Sequence, residues 1–274
     1  MRIQKAMLVF RKDWRELRRN WQVTLPIFIM PFMFSALLPS LVVLIRAVAF
    51  VPGAPLGGLA TVVKNLPSQA QNELAGLTDQ QALFYVVSIY FFAPIFLIIP
   101  LMASSVIASD SFAGEKERRT IEALLATPIS DSELFLGKIL VSFIPSMIVT
   151  VASFLIYSTV VDVFSRTIFN GRLLLPNVIW IILIFGLAPT VALAGIGLTI
   201  IISARVKGFR EAQQISVILL IPILILVFGQ VSGAIIFGPE VVAALIGAFV
   251  GVDLLIFRIG VRLFRRDEVL SKLA

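Results

Sequence analysis

The sequence predicts an all-α integral membrane protein with six transmembrane helices, an N-terminal amphipathic interfacial helix and a short cytoplasmic helix between the second and third spans. Three observations carry that prediction. Of 274 residues 59% are hydrophobic and 14% charged, with a mean hydropathy of +1.01. Apolar runs of about twenty residues or more, long enough to cross a hydrocarbon core of about 30 Å, recur along the chain. Lys and Arg gather in every second segment between those runs. A water-soluble core of this size would not need so much apolar sequence.

Two regions organise the chain: residues 1–20 as an amphipathic helix, and 21–274 as a membrane domain with spans near 22–49, 83–108, 134–161, 177–203, 214–236 and 240–258. Segments 1–20, 109–133, 204–213 and 258–274 hold seven, three, three and five Lys and Arg; the alternate segments hold only Lys64, Arg166 and Arg172. By the positive-inside rule, eighteen against three puts both termini of this multi-pass protein in the cytoplasm of the cell membrane. The net charge of +7 is then mostly a topology signal, and its scatter along the chain argues against a nucleic-acid partner. The basic start and the length of the first apolar run predict a retained span, not a cleaved signal peptide.

Within 1–20, Ile3, Met7, Phe10, Trp14 and Leu17 recur at spacings of three and four, while Arg2, Lys5, Lys12, Arg15 and Arg19 fall largely off that stripe. This pattern suits a helix lying along the membrane, as an anchor to anionic lipid alone or as a contact for a cytoplasmic partner as well. Thr78-Asp79-Gln80-Gln81 and Ser130-Asp131-Ser132-Glu133 both match capping boxes just before apolar runs.

Between the second and third spans, Glu115 to Ala126 sets Ile121, Leu124 and Leu125 on one side with Phe112 upstream, and Lys116, Glu117, Arg118, Arg119 and Glu122 mainly elsewhere. Pro128 ends this helix. One apolar edge under a mixed-charge crown fits either docking into a groove on another protein or packing against the bilayer surface.

The run Phe112-Ala113-Gly114-Glu115-Lys116-Glu117-Arg118-Arg119-Thr120-Ile121-Glu122-Ala123-Leu124-Leu125-Ala126-Thr127-Pro128-Ile129-Ser130, followed by Leu136-Gly137-Lys138, closely resembles the signature of type-2 ABC exporter permeases, the transmembrane subunits of ATP-binding cassette transporters. The resemblance implies that 114–127 is a coupling helix receiving motion from a separate ATPase, and that residues 1–20 are a connecting helix. It assigns the ATPase interface to Phe112, Gly114, Glu115, Lys116, Glu117, Arg118, Arg119, Thr120, Glu122, Leu124, Leu125, Thr127 and Pro128. Many relatives carry Gly where this chain has Arg119. Two ATPase copies and a second permease, identical or homologous, are implied as partners.

The chain lacks a Gly-x-x-x-x-Gly-Lys-Ser/Thr phosphate loop, since Gly137-Lys138 is followed by Ile139 and has no upstream glycine. No segment outside the spans is long enough for a nucleotide-binding domain. With neither Cys nor His, thiolate chemistry and the commonest metal ligand and general base are missing. The expectation is no enzyme and no cofactor held by this chain, ATP and Mg binding the partner ATPase. The function read from this is the permease of an ATP-driven exporter of an amphipathic or lipidic compound, drug or peptide, or an ion; a secondary carrier or a non-transporting membrane scaffold is the alternative.

Inside the spans, Asp253 is the ionisable group with a claim to function, set against simple pairing with a snorkelling Arg258. Ala243, Gly247 and Gly251, and Gly195 with Thr199, form small-residue rows that predict close helix packing. Prolines interrupt the first five spans, at Pro26, Pro31, Pro39, Pro94, Pro100, Pro145, Pro189 and Pro222, and predict kinks that suit either a central pathway or static packing. The Gly229 to Glu240 break is compatible with short re-entrant helices, as in the resembled family, or with a tight hairpin.

Overall fold

The computed structural model describes residues 3–41, 71–72, 74–120, 130–206, 208–232, 235 and 237–263. Seven helices organise them: α1 (Ile3–Leu17), α2 (Val23–Leu41), α3 (Gln81–Glu117), α4 (Asp131–Ile168), α5 (Val178–Ser203), α6 (Phe209–Gln230) and α7 (Pro239–Leu263). The last six are long and apolar enough to cross a membrane, and the described residues contain no strand. Residues 42–70, with the end of the first expected span, and the C-terminal stretch from 264 lie outside the described residues.

Bundle order follows burial. In α3 67% of the most apolar stretch is buried inside the chain and in α5 61%, against 11% in α7, so α3 and α5 form the centre and α7 an outer wall. α3 packs on α4 and α5, α1 on α4, and α7 on α5. An aromatic knot joins the middle: Tyr157 stacks on Trp180 with centroids 4.7 Å apart, and Phe96 and Phe154 close around Trp180 at 5.2 and 5.6 Å.

That knot also repairs a defect in α3. Pro94 has no N–H to give the turn before it, and the helix widens to a π turn over Val87–Phe91. Tyr157 Oη donates to the Ser88 carbonyl at 2.6 Å, and Trp180 Nε1 donates to the Ile89 carbonyl at 3.0 Å. Prolines likewise adjoin the π turns Met33–Leu37, after Pro31, and Leu183–Leu187, before Pro189.

Both capping boxes form. Thr78 Oγ1 accepts from Gln81 N and Gln81 Oε1 from Thr78 N; Ser130 and Glu133 do the same at the head of α4. At the far end of α4, Asp162 Oδ1 accepts from Leu174 N and Leu175 N at 3.0 and 3.1 Å, bracing the connection to α5.

α1 turns Ala6, Val9, Asp13 and Leu17 into the bundle; of the apolar stripe, Leu17 is buried with them, Phe10 and Trp14 stack on each other half-buried, and Met7 is exposed. The small face wins because α1 lies very close to α4, where a Cβ on Gly137 would come 2.7 Å from the Ala6 carbonyl oxygen. The row on α7 does not pack inside this chain: Cβ atoms on Gly247 and Gly251 would meet nothing within 4 Å, whereas Gly195 and Thr199 do face α3, with Thr199 Oγ1 3.0 Å from Ser105 Oγ. Within 229–240, Gly229 to Val231 continue α6 and Pro239 and Glu240 begin α7, while Ser232, Ile235, Phe237 and Gly238 between them are not helical and Ile235 N donates to the Gly229 carbonyl at 3.0 Å.

Candidate functional site

α3 runs past the expected span end at 108 and stays helical to Glu117. A helix can carry Asp110 and Glu115 that far inside the protein because every charge there finds a partner. Asp110–Gly114 is a π turn without a nearby proline, and all five of its residues are buried.

Lys138, on α4, is the centre of the site and is fully buried. Its Nζ donates to Glu115 Oε2 at 2.6 Å, to the Ser111 carbonyl, and to Ser111 Oγ at 3.3 Å. It lies 3.7 Å from Asp13 Oδ2 and 5.1 Å over the Phe112 ring. From α1, Lys12 Nζ reaches Glu115 Oε1 at 2.5 Å and Asp13 Oδ1 at 3.2 Å, while Ser111 Oγ donates to Asp13 Oδ2 at 3.1 Å. Two ammonium groups thus face two buried carboxylates across α1, α3 and α4. Burial opposes the charge on Lys12, but the hydrogen bond to Glu115 and the fields of Asp13, Glu115 and Glu16 outweigh it and raise its pKa above the ordinary lysine value.

A second pair flanks the first. Asp110 Oδ1 accepts from Arg118 Nη1 at 3.0 Å and from Asn20 Nδ2 at 3.2 Å. Burial would lower the Arg118 pKa; the hydrogen bond to Asp110 raises it instead. Gly114 makes room for this pair, since a Cβ there would come 2.8 Å from Asp110 Oδ1 and 3.1 Å from Arg118 Nη1.

Beyond Glu115 the chain turns out into the open. Thr120 N donates to the Glu115 carbonyl and Arg119 N to the Lys116 carbonyl, at 3.0 and 3.2 Å, which is a Schellman closure with Arg119 at φ 56 in the position that favours glycine. Lys116 Nζ donates to the Val206 carbonyl at 2.9 Å, and Glu117 Oε2 accepts from Phe209 N at 2.9 Å, placing a negative charge at the start of α6. The turn therefore touches the connection from α5 to α6 as well.

The expected interface residues divide accordingly. Phe112, Gly114 and Glu115 face inward; Lys116 and Glu117 bind the α5–α6 connection; Arg118, Arg119 and Thr120 are exposed. The helix expected over Glu115–Ala126 leaves helical geometry at Arg118, because the positive φ of Arg119 reverses the chain. Glu122, Leu124, Leu125, Thr127 and Pro128 lie outside the described residues.

Lys12, Asp13, Asp110 and Lys138 are functional candidates that the sequence reading passed over. One signal could have found them: Lys138 sits in an apolar run, where a charge needs a partner from another helix. Oxygens of Asp13, Glu16 and Glu115 converge within 4.8 Å, as a metal site would require, but Lys12 and Lys138 already balance them.

Asp253 stands apart from this cluster, and its expected pairing with Arg258 is not seen. Five residues advance an α-helix by about 140°, so the two side chains leave α7 on different sides. Asp253 Oδ1 is closed off from solvent and has no hydrogen-bond partner among the described residues.

No curated protein shows significant similarity to the chain. Residues 7–265 match the profile of the family described as ABC-2 family transporter protein. The match takes in α1 from Met7 onward, all six apolar helices and the buried charge cluster, and permeases of this family sit in the membrane and partner an ABC ATPase subunit. This chain belongs to the ABC-2 transporter family as a multi-pass membrane permease.

Proposed function

We propose that the chain is the membrane half of an ATP-driven exporter, in which two permease subunits, identical or homologous, join two copies of a separate ATPase that binds ATP and Mg. Both termini and the Lys116–Thr120 turn face the cytoplasm, as the distribution of Lys and Arg requires. The cargo is an amphipathic or lipidic compound, drug or peptide in preference to an ion, and it leaves from the cytoplasmic side.

One observation supports this reading above the rest: the exposed turn Arg118–Thr120 is joined within one helical turn to the buried Lys138–Glu115–Lys12 cluster. A push on that turn reaches α3, α4 and α1 together, because separating any two of them would strand a buried charge. An ATPase closing beneath the membrane would act on such a joint. Docking uses the exposed side chains, and the inward ones transmit.

Co-expression with an ABC ATPase tests it. Arg119→Glu, which leaves the Arg118–Asp110 pair intact, is expected to abolish co-purification and ATP-dependent transport while the permease still folds. A permease that never retains an ATPase, or a complex indifferent to charge reversal on this turn, would refute the proposal.

A further inference from the structure

α5 packs against both α4 and α7, and between those two neighbours lies a groove of about 280 Å³. Its lining is apolar, contributed by residues such as Phe135, Leu193, Val250 and Leu254, with Thr190 and Asp253 as the polar exceptions. Asp253 is the one charged residue in it, and its Oδ1 has no donor among the described residues. One of its two carboxylate oxygens is thus closed off without a donor, which is unfavourable until a cation or a proton meets it. Small-molecule sites have this character, with apolar walls and few placed polar groups.

We infer that the α4–α5–α7 groove is a binding site for an amphipathic monovalent cation, its apolar body against Phe135, Leu193 and Val250 and its charge beside Asp253. The inference rests on the exporter reading in treating the groove as a cargo site, and narrows the cargo to cationic amphiphiles. The groove lies toward the end of the bundle that carries α1, because Phe135 and Ile139 are near the start of α4, on either side of the Gly137 contact with α1, while Asp253 lies in the second half of α7. That end is cytoplasmic in the proposed orientation, so compounds partitioned into the inner leaflet would meet it. Charge complementarity selects this occupant over a lipid acyl chain, which would leave Asp253 unpaired.

The test is equilibrium binding of radiolabelled tetraphenylphosphonium to the full chain in phosphatidylcholine nanodiscs, with empty nanodiscs subtracted. Saturable binding at one site per chain is expected, with no competition from tetraphenylborate, which has the same shape and the opposite charge. Asp253→Asn is expected to weaken binding by about tenfold or more, the scale of a lost charge contact in a desolvated site. Asp253→Glu should retain it, and Val250→Trp, which fills the groove and keeps the carboxylate, should abolish it. Equal binding by wild type and Asp253→Asn, equal competition by tetraphenylborate as in a plain acyl-chain groove, or no saturable binding above empty nanodiscs would each overturn the inference. No ATPase is needed, so this failure is distinct from loss of co-purification, which would count against the exporter reading.

Discussion

Lys138 Nζ and Glu115 Oε2 lie 2.6 Å apart where both side chains are essentially closed to solvent, one on α4 and the other on α3. Their attraction offsets the desolvation of both groups, and removing one partner leaves the other uncompensated. Lys138→Met is therefore expected to destabilise the protein by about 3–5 kcal/mol. Adding Glu115→Gln to Lys138→Met should recover part of that loss. Thermal unfolding in detergent, run as a double-mutant cycle, measures both, and strict additivity would show that the pair does not act as a unit.

Arg119 adopts φ 56 at the closing position of the Schellman turn. A side chain in left-handed geometry costs about 1–2 kcal/mol that glycine avoids. Arg119→Gly should thus raise stability by about 1 kcal/mol, after allowance for the greater freedom of glycine in the unfolded chain. Arg119→Ala, with the same backbone strain, should not, and the difference between their melting temperatures is the readout.

Trp180→Phe removes the donor to the Ile89 carbonyl, and Tyr157→Phe the donor to the Ser88 carbonyl. Each variant keeps an aromatic ring but strands a buried acceptor beside Pro94, so a loss of about 1–3 kcal/mol is expected for each. Because the two repair adjacent carbonyls of one π turn, the double variant should depart from the sum of the singles.

The pH response of the link between α1 and α3 follows from Lys12. Its pKa is raised in the fold, so its stabilising contribution is complete below the ordinary value of 10.5 and is lost only as pH rises beyond that value. Lys12→Met should lower the melting temperature by the same amount at pH 6 and pH 9. A deficit that shrinks between those values would contradict the assignment of Lys12 as a permanently charged partner of Glu115.

The membrane fold was legible in the sequence because apolar run length, proline placement and capping boxes are local signals. Thr78 and Ser130 head helices as their spacing implies. The α1 face and the charge cluster were not legible, because both depend on which helices meet. Asp13 reads as a polar residue on a basic helix until Lys138 and Ser111 are brought to it from positions more than ninety residues away. Asp110 and Glu115 are buried because pairing between helices, invisible to periodicity, balances their charge. Asp253 was visible as an intramembrane charge, but the angle that separates it from Arg258 mattered more than their nearness in sequence.

The contacts between α3 and α4 recur along their length. Glu115 meets Lys138 at one end, Gln81 Nε2 donates to the Ile168 carbonyl at 2.8 Å at the other, and Ser88 accepts from Tyr157 two to three turns in from that second end. Fastened at three stations, the two helices act as the chords of a truss, unable to shear past each other without breaking a cross-member. Any reorientation of the permease must then pivot around this beam, carried by the thinly packed flanks α2, α6 and α7.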